Sequence, residues 1–296
     1  METPFPLIGF FCDTPMVGSG YLAMLQTGLL AGCRKWNCLL VIASFELHDA
    51  DMPARVAEIV RHVPLCGVVL PEPMCDMPGL LGVLQAAGLP VVRIAPHTED
   101  ATTFDICIDN EQAAYDVMQH LVGLGHKRIA FIKGPPDHGD ANARYAGFRK
   151  AMKAAGLPIE EALCVQSATF DYSSGTIAAD ELLARRPLPT AVFACNDEIA
   201  AAVLEAARRR GIKIPEDLSI AGFDDAPLAR LVLPTLTTCR QRMELIGYTA
   251  VDFIVNPPIL GDVRQRIQPH ELVVRESTAR APDSVTGHEP PSNSPL

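Results

Sequence analysis

Short runs rich in Val, Ile and Phe recur along this chain, and most are followed by an amphipathic segment of helical length. The runs include LIGFF from Leu7, CLLVIA from Cys38, CGVVLP from Cys66, LPVVRIA from Leu89, HKRIAFI from His126, AVFAC from Ala191 and DLSIAGF from Asp217. Runs of that length without strict alternation are buried on both faces. Separated by helix-length stretches, they read as parallel strands joined by helical crossovers. The class is therefore α/β. Gly88, Gly125, Gly156 and Gly211 each close a helical pattern just before a turn toward a strand. A residue in the left-handed conformation ends a helix there, and glycine adopts it without a Cβ clash. Pro90 and Pro215 follow two of these glycines and block helix continuation.

The polar, aperiodic stretch APHTEDATTF (Ala95 to Phe104) marks a place where one sheet is expected to end and another to begin. Further crossings between sheets are expected at LPTLTT (Leu233 to Thr238) and near Gly261 to Pro269. The tail from Ala281 to Leu296, APDSVTGHEPPSNSPL, is rich in Pro and Ser and reads as disordered.

Composition narrows the function classes. The chain has 296 residues, and Lys+Arg 25 against Asp+Glu 35 leaves a net charge of −10. A chain that binds nucleic acid unaided needs a basic face to displace counterions from phosphates, so this balance argues against it. No apolar stretch approaches the ~18 residues of a membrane-spanning helix. METPFPLIG at the start lacks a basic n-region, so the expected location is the cytoplasm. The nine cysteines are scattered, with no Cys-x-x-Cys pair and no His at zinc-ligand spacing. They read as small core hydrophobes. Phosphate-binding, zinc-protease and nucleophile-elbow motifs are missing, so no enzyme activity, cofactor or metal is expected.

What the sequence does offer is a series of polar residues at the carboxyl ends of expected strands, where open α/β sheets bind ligands. Asp13 follows IGFFC, Asp109 follows ICI, Asn196 and Asp197 follow AVFAC, and Asp224 and Asp225 follow SIAGF. Each reads either as a ligand contact or as a helix cap. Arg144 lies in ANARYAGFRK, with Tyr145 and Phe148, at the start of a helix. The preceding loop GPPDHGDAN holds His138 and Asp140, positioned by turns. Phe170 in ATFDYSSG is either core or a platform for the C–H face of a sugar. Gln241 in TTCRQR is either a hydroxyl partner or plain surface. Replacing Arg144 by Ala is expected to weaken ligand binding and leave the melting temperature of the free protein nearly unchanged.

The segments LGHKRIAFIKGPPDHGDANARYAGF, PTAVFACNDEIAAAVLEAARRRGIKIPEDLSIAGFDD, LPTLTTCRQ and ELVVREST resemble the regulatory core of the lactose/galactose repressor (LacI/GalR) family of bacterial transcription factors. The resemblance runs from about Leu7 to Thr278. It implies two Rossmann-like lobes of the periplasmic-binding-protein type, with parallel sheets flanked by helices, three crossovers and a small carbohydrate effector in the cleft. The lobes divide as residues 1–107 with about 240–266, and 108–236 with about 267–278. Site roles carried over position by position fall on Asp13, Tyr21, Asp109, Arg144, Phe170, Asn196, Asp224 and Gln241. Ser19 is a weaker match because the loop DTPMVGSGY diverges. Arg93 in VVRIAP is unusual and would add a positive charge suited to an acidic sugar or an oligosaccharide. Family members carry a helix-turn-helix headpiece before this core. Here Met1 lies only six residues before Leu7, so operator DNA is expected to be reached only through a headpiece missing from this chain. A homodimer is expected from the family. The rival readings are a stand-alone sugar-binding protein of a transporter and a sugar enzyme using Asp224 and Asp109 as acid and base.

Overall fold

A computed structural model describes residues 5–14, 19–47, 49–257 and 265–282. The tail expected to be disordered lies almost wholly outside the described residues, as do positions 15–18 of the divergent loop. The chain forms two compact units. The first holds Met1–Asn110, Asp137–Asp140 and Arg240–Glu271, and the second holds Glu111–Pro136, Ala141–Cys239 and Leu272–Leu296.

In the first unit the strands are β1 (Leu7–Asp13), β2 (Leu39–Phe45), β3 (Leu65–Pro71), β4 (Val91–Ile94), β5 (Phe104–Cys107) and β11 (Gln265–Ile267). They form one sheet in the order β11-β5-β4-β3-β1-β2. β1 pairs in parallel with β2 and β3, β3 with β4, β4 with β5, and β5 with β11. The helices are α1 (Gly20–Trp36), α2 (Met52–His62), α3 (Pro78–Ala86) and α8 (Met243–Val255). Ser19 caps α1 by accepting a hydrogen bond from the Leu22 N–H, and Asn37 closes it with φ 54°. α1 and α8 approach backbone to backbone. A Cβ on Gly28 would stand 2.1 Å from the Glu244 carbonyl oxygen, and one on Gly247 would stand 2.4 Å from that of Leu25.

The second unit repeats the plan with β6 (Ile129–Lys133), β7 (Cys164–Gln166), β8 (Ala191–Ala194), β9 (Ser219–Asp224), β10 (Thr237–Arg240) and β12 (Glu271–Val273), in the order β12-β10-β9-β8-β6-β7. Its helices are α4 (Asn110–Gly123) and α5 (Gly139–Ala154), whose first residues Asn110 and Gly139–Asp140 belong to the first unit, with α6 (Tyr172–Leu183) and α7 (Asp197–Arg209). β8 is buried along its whole length, as its unbroken apolar sequence requires. Phe131 on β6 lies 5.1 Å, centroid to centroid, from both Phe148 of α5 and Phe193 of β8, and 5.5 Å from Tyr145. That aromatic cluster fixes the rotation of α5 over the sheet.

Gly88, Gly125, Gly156 and Gly211 all have φ between 67° and 90°, as their positions after α3, α4, α5 and α7 demand. Two crossing points differ from expectation. β5 pairs with β4, Val92 opposite Phe104, so the stretch from Ala95 joins two strands of one sheet and the chain changes sheet only after Cys107. Its polar residues serve a local network instead, in which Gln85 Nε2 donates to Asp100 and Thr102. Likewise β10 stays in the second sheet, so the return crossing follows Arg240 rather than LPTLTT. The last crossing falls between β11 and β12, at 268–270, at the end of the expected stretch. Among the described residues no helix is long and apolar enough to cross a membrane.

Candidate functional site

In the second unit, Arg144 is carried by the second turn of α5, held in place by the packing of Tyr145 and Phe148 on Phe131. It is buried. Its Nη1 donates to the Cys195 carbonyl at 2.9 Å, and its guanidinium lies 3.9 Å from the centroid of Phe223. Nη2 stands 3.6 Å from Oδ1 of Asp224, itself buried at the carboxyl end of β9. Asp224 and Asp225 have φ of 111° and 55°. Left-handed conformations outside glycine cost of order 1–3 kcal/mol each and persist only where the surroundings hold them. Asp225 is held by Arg230 at 3.0 Å and by a short contact with Arg275.

Beneath this pair, Asp197 is wholly buried. Its carboxyl accepts from Thr238 Oγ1 at 2.7 Å and from the Ala226 N–H at 2.8 Å. Burial, and then the charge of Asp224, push it well above the usual carboxylate range. Two neighbouring carboxylates therefore differ: Asp224 faces a guanidinium, whereas Asp197 is a structural hydrogen-bonding group. Asn196 caps α7, its Oδ1 accepting from the Ile199 N–H at 3.0 Å, while Nδ2 donates to the Phe170 carbonyl at 2.9 Å. Asn196 thus takes its capping reading, and its amide also holds the backbone of the half-buried Phe170. The Arg144–Asp224 pair sets a fixed donor beside a fixed acceptor, which suits a sugar hydroxyl that accepts from one and donates to the other.

The first unit holds the other sites read from sequence. Asp13 is buried at the end of β1, Tyr21 lies in the first turn of α1, and Gln241 is buried directly after β10, which excludes its plain-surface reading. Asp109 is exposed just before α4, while the next residue, Asn110, is buried and donates to Asp140 Oδ1 at 2.8 Å. The expectation for Arg93 needs correction. Its side chain is fully buried and forks onto Asp105, Nε to Oδ1 at 2.9 Å and Nη2 to Oδ2 at 2.7 Å, with Nη1 donating to Thr98 at 3.1 Å. That charge is neutralised within the unit and is not offered to an acidic sugar.

Two residues of this unit escaped sequence reasoning. Glu72, just past β3, is buried, and its Oε1 accepts from the Gly139 N–H at 2.6 Å and lies 3.1 Å from Nδ1 of His138. Nε2 of His97 is 3.0 Å from Asp140 Oδ1 and 3.4 Å from Glu72 Oε2. Burial, opposed by the His97 imidazole 3.4 Å from Oε2, brings the Glu72 carboxyl up to about 7. The hydrogen bond to Asp140 and the nearby Glu72 carboxylate raise His97 to about 10. Positions 72, 97 and 140 share no spacing rule, so only the fold of the chain brings them together.

None of the nine cysteines is in a disulfide, and burial raises Cys12, Cys33 and Cys107 to about 11, which keeps them protonated.

Residues 118–278 match a family model described as a periplasmic binding protein-like domain. The chain is 42% identical over 206 residues to the HTH-type transcriptional regulator DegA of Bacillus subtilis, an alignment covering 69% of this chain and 60% of that protein. It is 36% identical over 255 residues to the ribose operon repressor of Escherichia coli, covering 84% of this chain and 76% of the repressor. The fold superposes on the solved complex of the transcriptional regulator CelR with cellobiose at a TM-score of 0.81 and 27% identity, covering 93% of this chain and 86% of that one. The chain spans about 60% of the length of several of the curated relatives it matches.

Proposed function

The chain belongs to the LacI/GalR family of bacterial transcription regulators, and on that premise we propose that it is the effector-sensing core of such a regulator, with a small carbohydrate as effector. The observation that carries this reading is the buried Arg144–Asp224 pair, a donor and an acceptor 3.6 Å apart at the carboxyl end of a strand. Phe170 supplies an apolar ring in the same unit, and Asn196 holds its backbone. The CelR complex, of the same fold, contains a disaccharide, which supports the choice of ligand class. Asp13, Tyr21 and Gln241 are the contacts we assign to the first unit.

The effector acts through its difference in affinity for the regulator's functional states, because a ligand that binds both equally shifts nothing. Operator DNA is engaged by a basic DNA-binding part rather than by this core, whose net charge is −10. The regulator works as a homodimer in the cytoplasm and leaves its sugar chemically unchanged.

A thermal-shift screen against cellobiose, ribose, other mono- and disaccharides and uronic acids tests the proposal. A ligand that binds only the folded state adds RT ln(1 + [L]/Kd), about 2.7 kcal/mol at a hundredfold excess over Kd. The expected result is a saturable rise with one sugar, weakened at least tenfold in Asp224→Asn, with the sugar recovered intact. The absence of a shift with any sugar would overturn the carbohydrate reading.

A further inference from the structure

We propose that Glu72, His97 and Asp140 form a binding site for one divalent transition-metal ion of the zinc class, held by an imidazole nitrogen and two carboxylates. One ligand atom from each lies within 4.8 Å of the other two. A tetrahedral ion about 2.1 Å from its ligands holds them roughly 3.4 Å apart. Nε2 of His97 is already 3.4 Å from Glu72 Oε2 and 3.0 Å from Asp140 Oδ1. Mixed nitrogen and oxygen donors favour zinc, iron or nickel over calcium and magnesium, which prefer oxygen alone.

Glu72 supplies an independent indication. It is only 5% exposed, and while Oε1 takes the Gly139 N–H, its buried Oε2 has no hydrogen-bond partner and points toward His97 and the cluster. Leaving a buried carboxylate oxygen without a donor is costly, and a cation removes that cost.

The surrounding groups orient the ligands as outer partners of metal sites do. Asn110 Nδ2 holds Asp140 Oδ1 at 2.8 Å, and Asp76 accepts the backbone N–H groups of His97 and Thr98 at 2.9 and 3.1 Å. Gly139 lets the His97 ring in, since a Cβ there would stand 2.1 Å from its Cδ2. The N-terminus of α5 brings a partial positive charge of about half a unit, less than the charge of the Glu72 and Asp140 carboxylates once a bound ion has displaced the protons of Glu72 and His97. Cys75 is not in the set, because its thiol donates to the Ile94 carbonyl at 3.5 Å. The metal proposal itself does not depend on the carbohydrate reading.

Protein stripped with EDTA and titrated calorimetrically with zinc chloride should take up one ion per chain. Binding should weaken at least tenfold in His97→Gln and in Glu72→Gln, and remain as in the parent in Glu58→Gln, an exposed acid on α2. Cobalt(II) in place of zinc should give visible absorption without a thiolate charge-transfer band. His97 is the more exposed ligand, at 37% of its side chain, so its variant decides the matter if Glu72→Gln fails to fold. Absence of stoichiometric uptake, undiminished binding in His97→Gln, or a thiolate band would overturn the site.

Discussion

Arg144 illustrates how burial changes a single-residue expectation. Read from sequence, its removal affects ligand binding alone. In the structure it pairs with a buried carboxylate, donates to a carbonyl and packs over Phe223. Arg144→Ala should still weaken sugar binding by about 1.5–3 kcal/mol, the value of a charged hydrogen bond. It should also lower the stability of the free protein, by about 3–5 kcal/mol, because Asp224 is left buried without its counter-charge. Urea unfolding of Arg144→Ala, Asp224→Ala and the double variant measures this. The double variant should lose clearly less than the sum, whereas simple additivity would mean that the two side chains do not sense each other. Arg144 and Asp224 were both legible as separate residues at helix-start and strand-end stations. Their pairing was not, since 80 positions of chain carry no distance information.

At the level of elements, helix ends were the most legible feature. The four terminating glycines take positive φ and Asn196 acts as a cap, because capping chemistry is local to a few residues. Ser19, read from sequence only as a weaker site match, is a cap as well. Asp171 is a further cap, accepting from the Ser174 N–H at 2.9 Å at the start of α6. Hydrogen bonds from Ser173, Thr169 and Ser174 hold its carboxyl down to about 2. A depressed pKa means that the stabilisation is complete above the ordinary value near 4 and is lost as pH falls from about 4 through about 2. Asp171→Ala should therefore cost about 1 kcal/mol at pH 7. The gap to the parent should narrow in unfolding curves taken at pH 3, and a gap that widens there would contradict the assignment. Packing of one helix on another is a different matter. Gly28 and Gly247 look unremarkable in the sequence, yet they let α1 and α8 touch backbone to backbone. Gly28→Ala should lower stability by roughly 1–3 kcal/mol, the range for overpacking, even though alanine is the better helix former. A variant as stable as the parent in thermal unfolding would show that the two helices move apart without cost.

On the scale of the whole molecule, large apolar side chains are exposed in both units. They include Leu39 and Ile42 on the edge strand β2, and Leu231 and Leu233 before β10. Exposed apolar edges and clusters of this kind are sites of association. Sedimentation should give a dimer for the full chain, and Ile42→Glu with Leu233→Glu should shift it toward monomer. A parent chain that sediments as a monomer at micromolar concentration would remove the homodimer from the proposed function. The α/β class and the strand-end stations were readable along the chain, because each rests on side-chain periodicity, backbone dihedral preference or capping within a few residues. Sheet membership was not. The polar stretch from Ala95 reads as a boundary, yet β5 joins β4 through backbone hydrogen bonds that no local composition specifies. The same limit explains Arg93, whose charge is directed inward by Asp105 on the adjacent strand, and the Glu72–His97–Asp140 cluster. Local chemistry selects the elements and marks their ends, whereas the order in which strands pair decides which charges meet, and long-range contact in space is what sets that order.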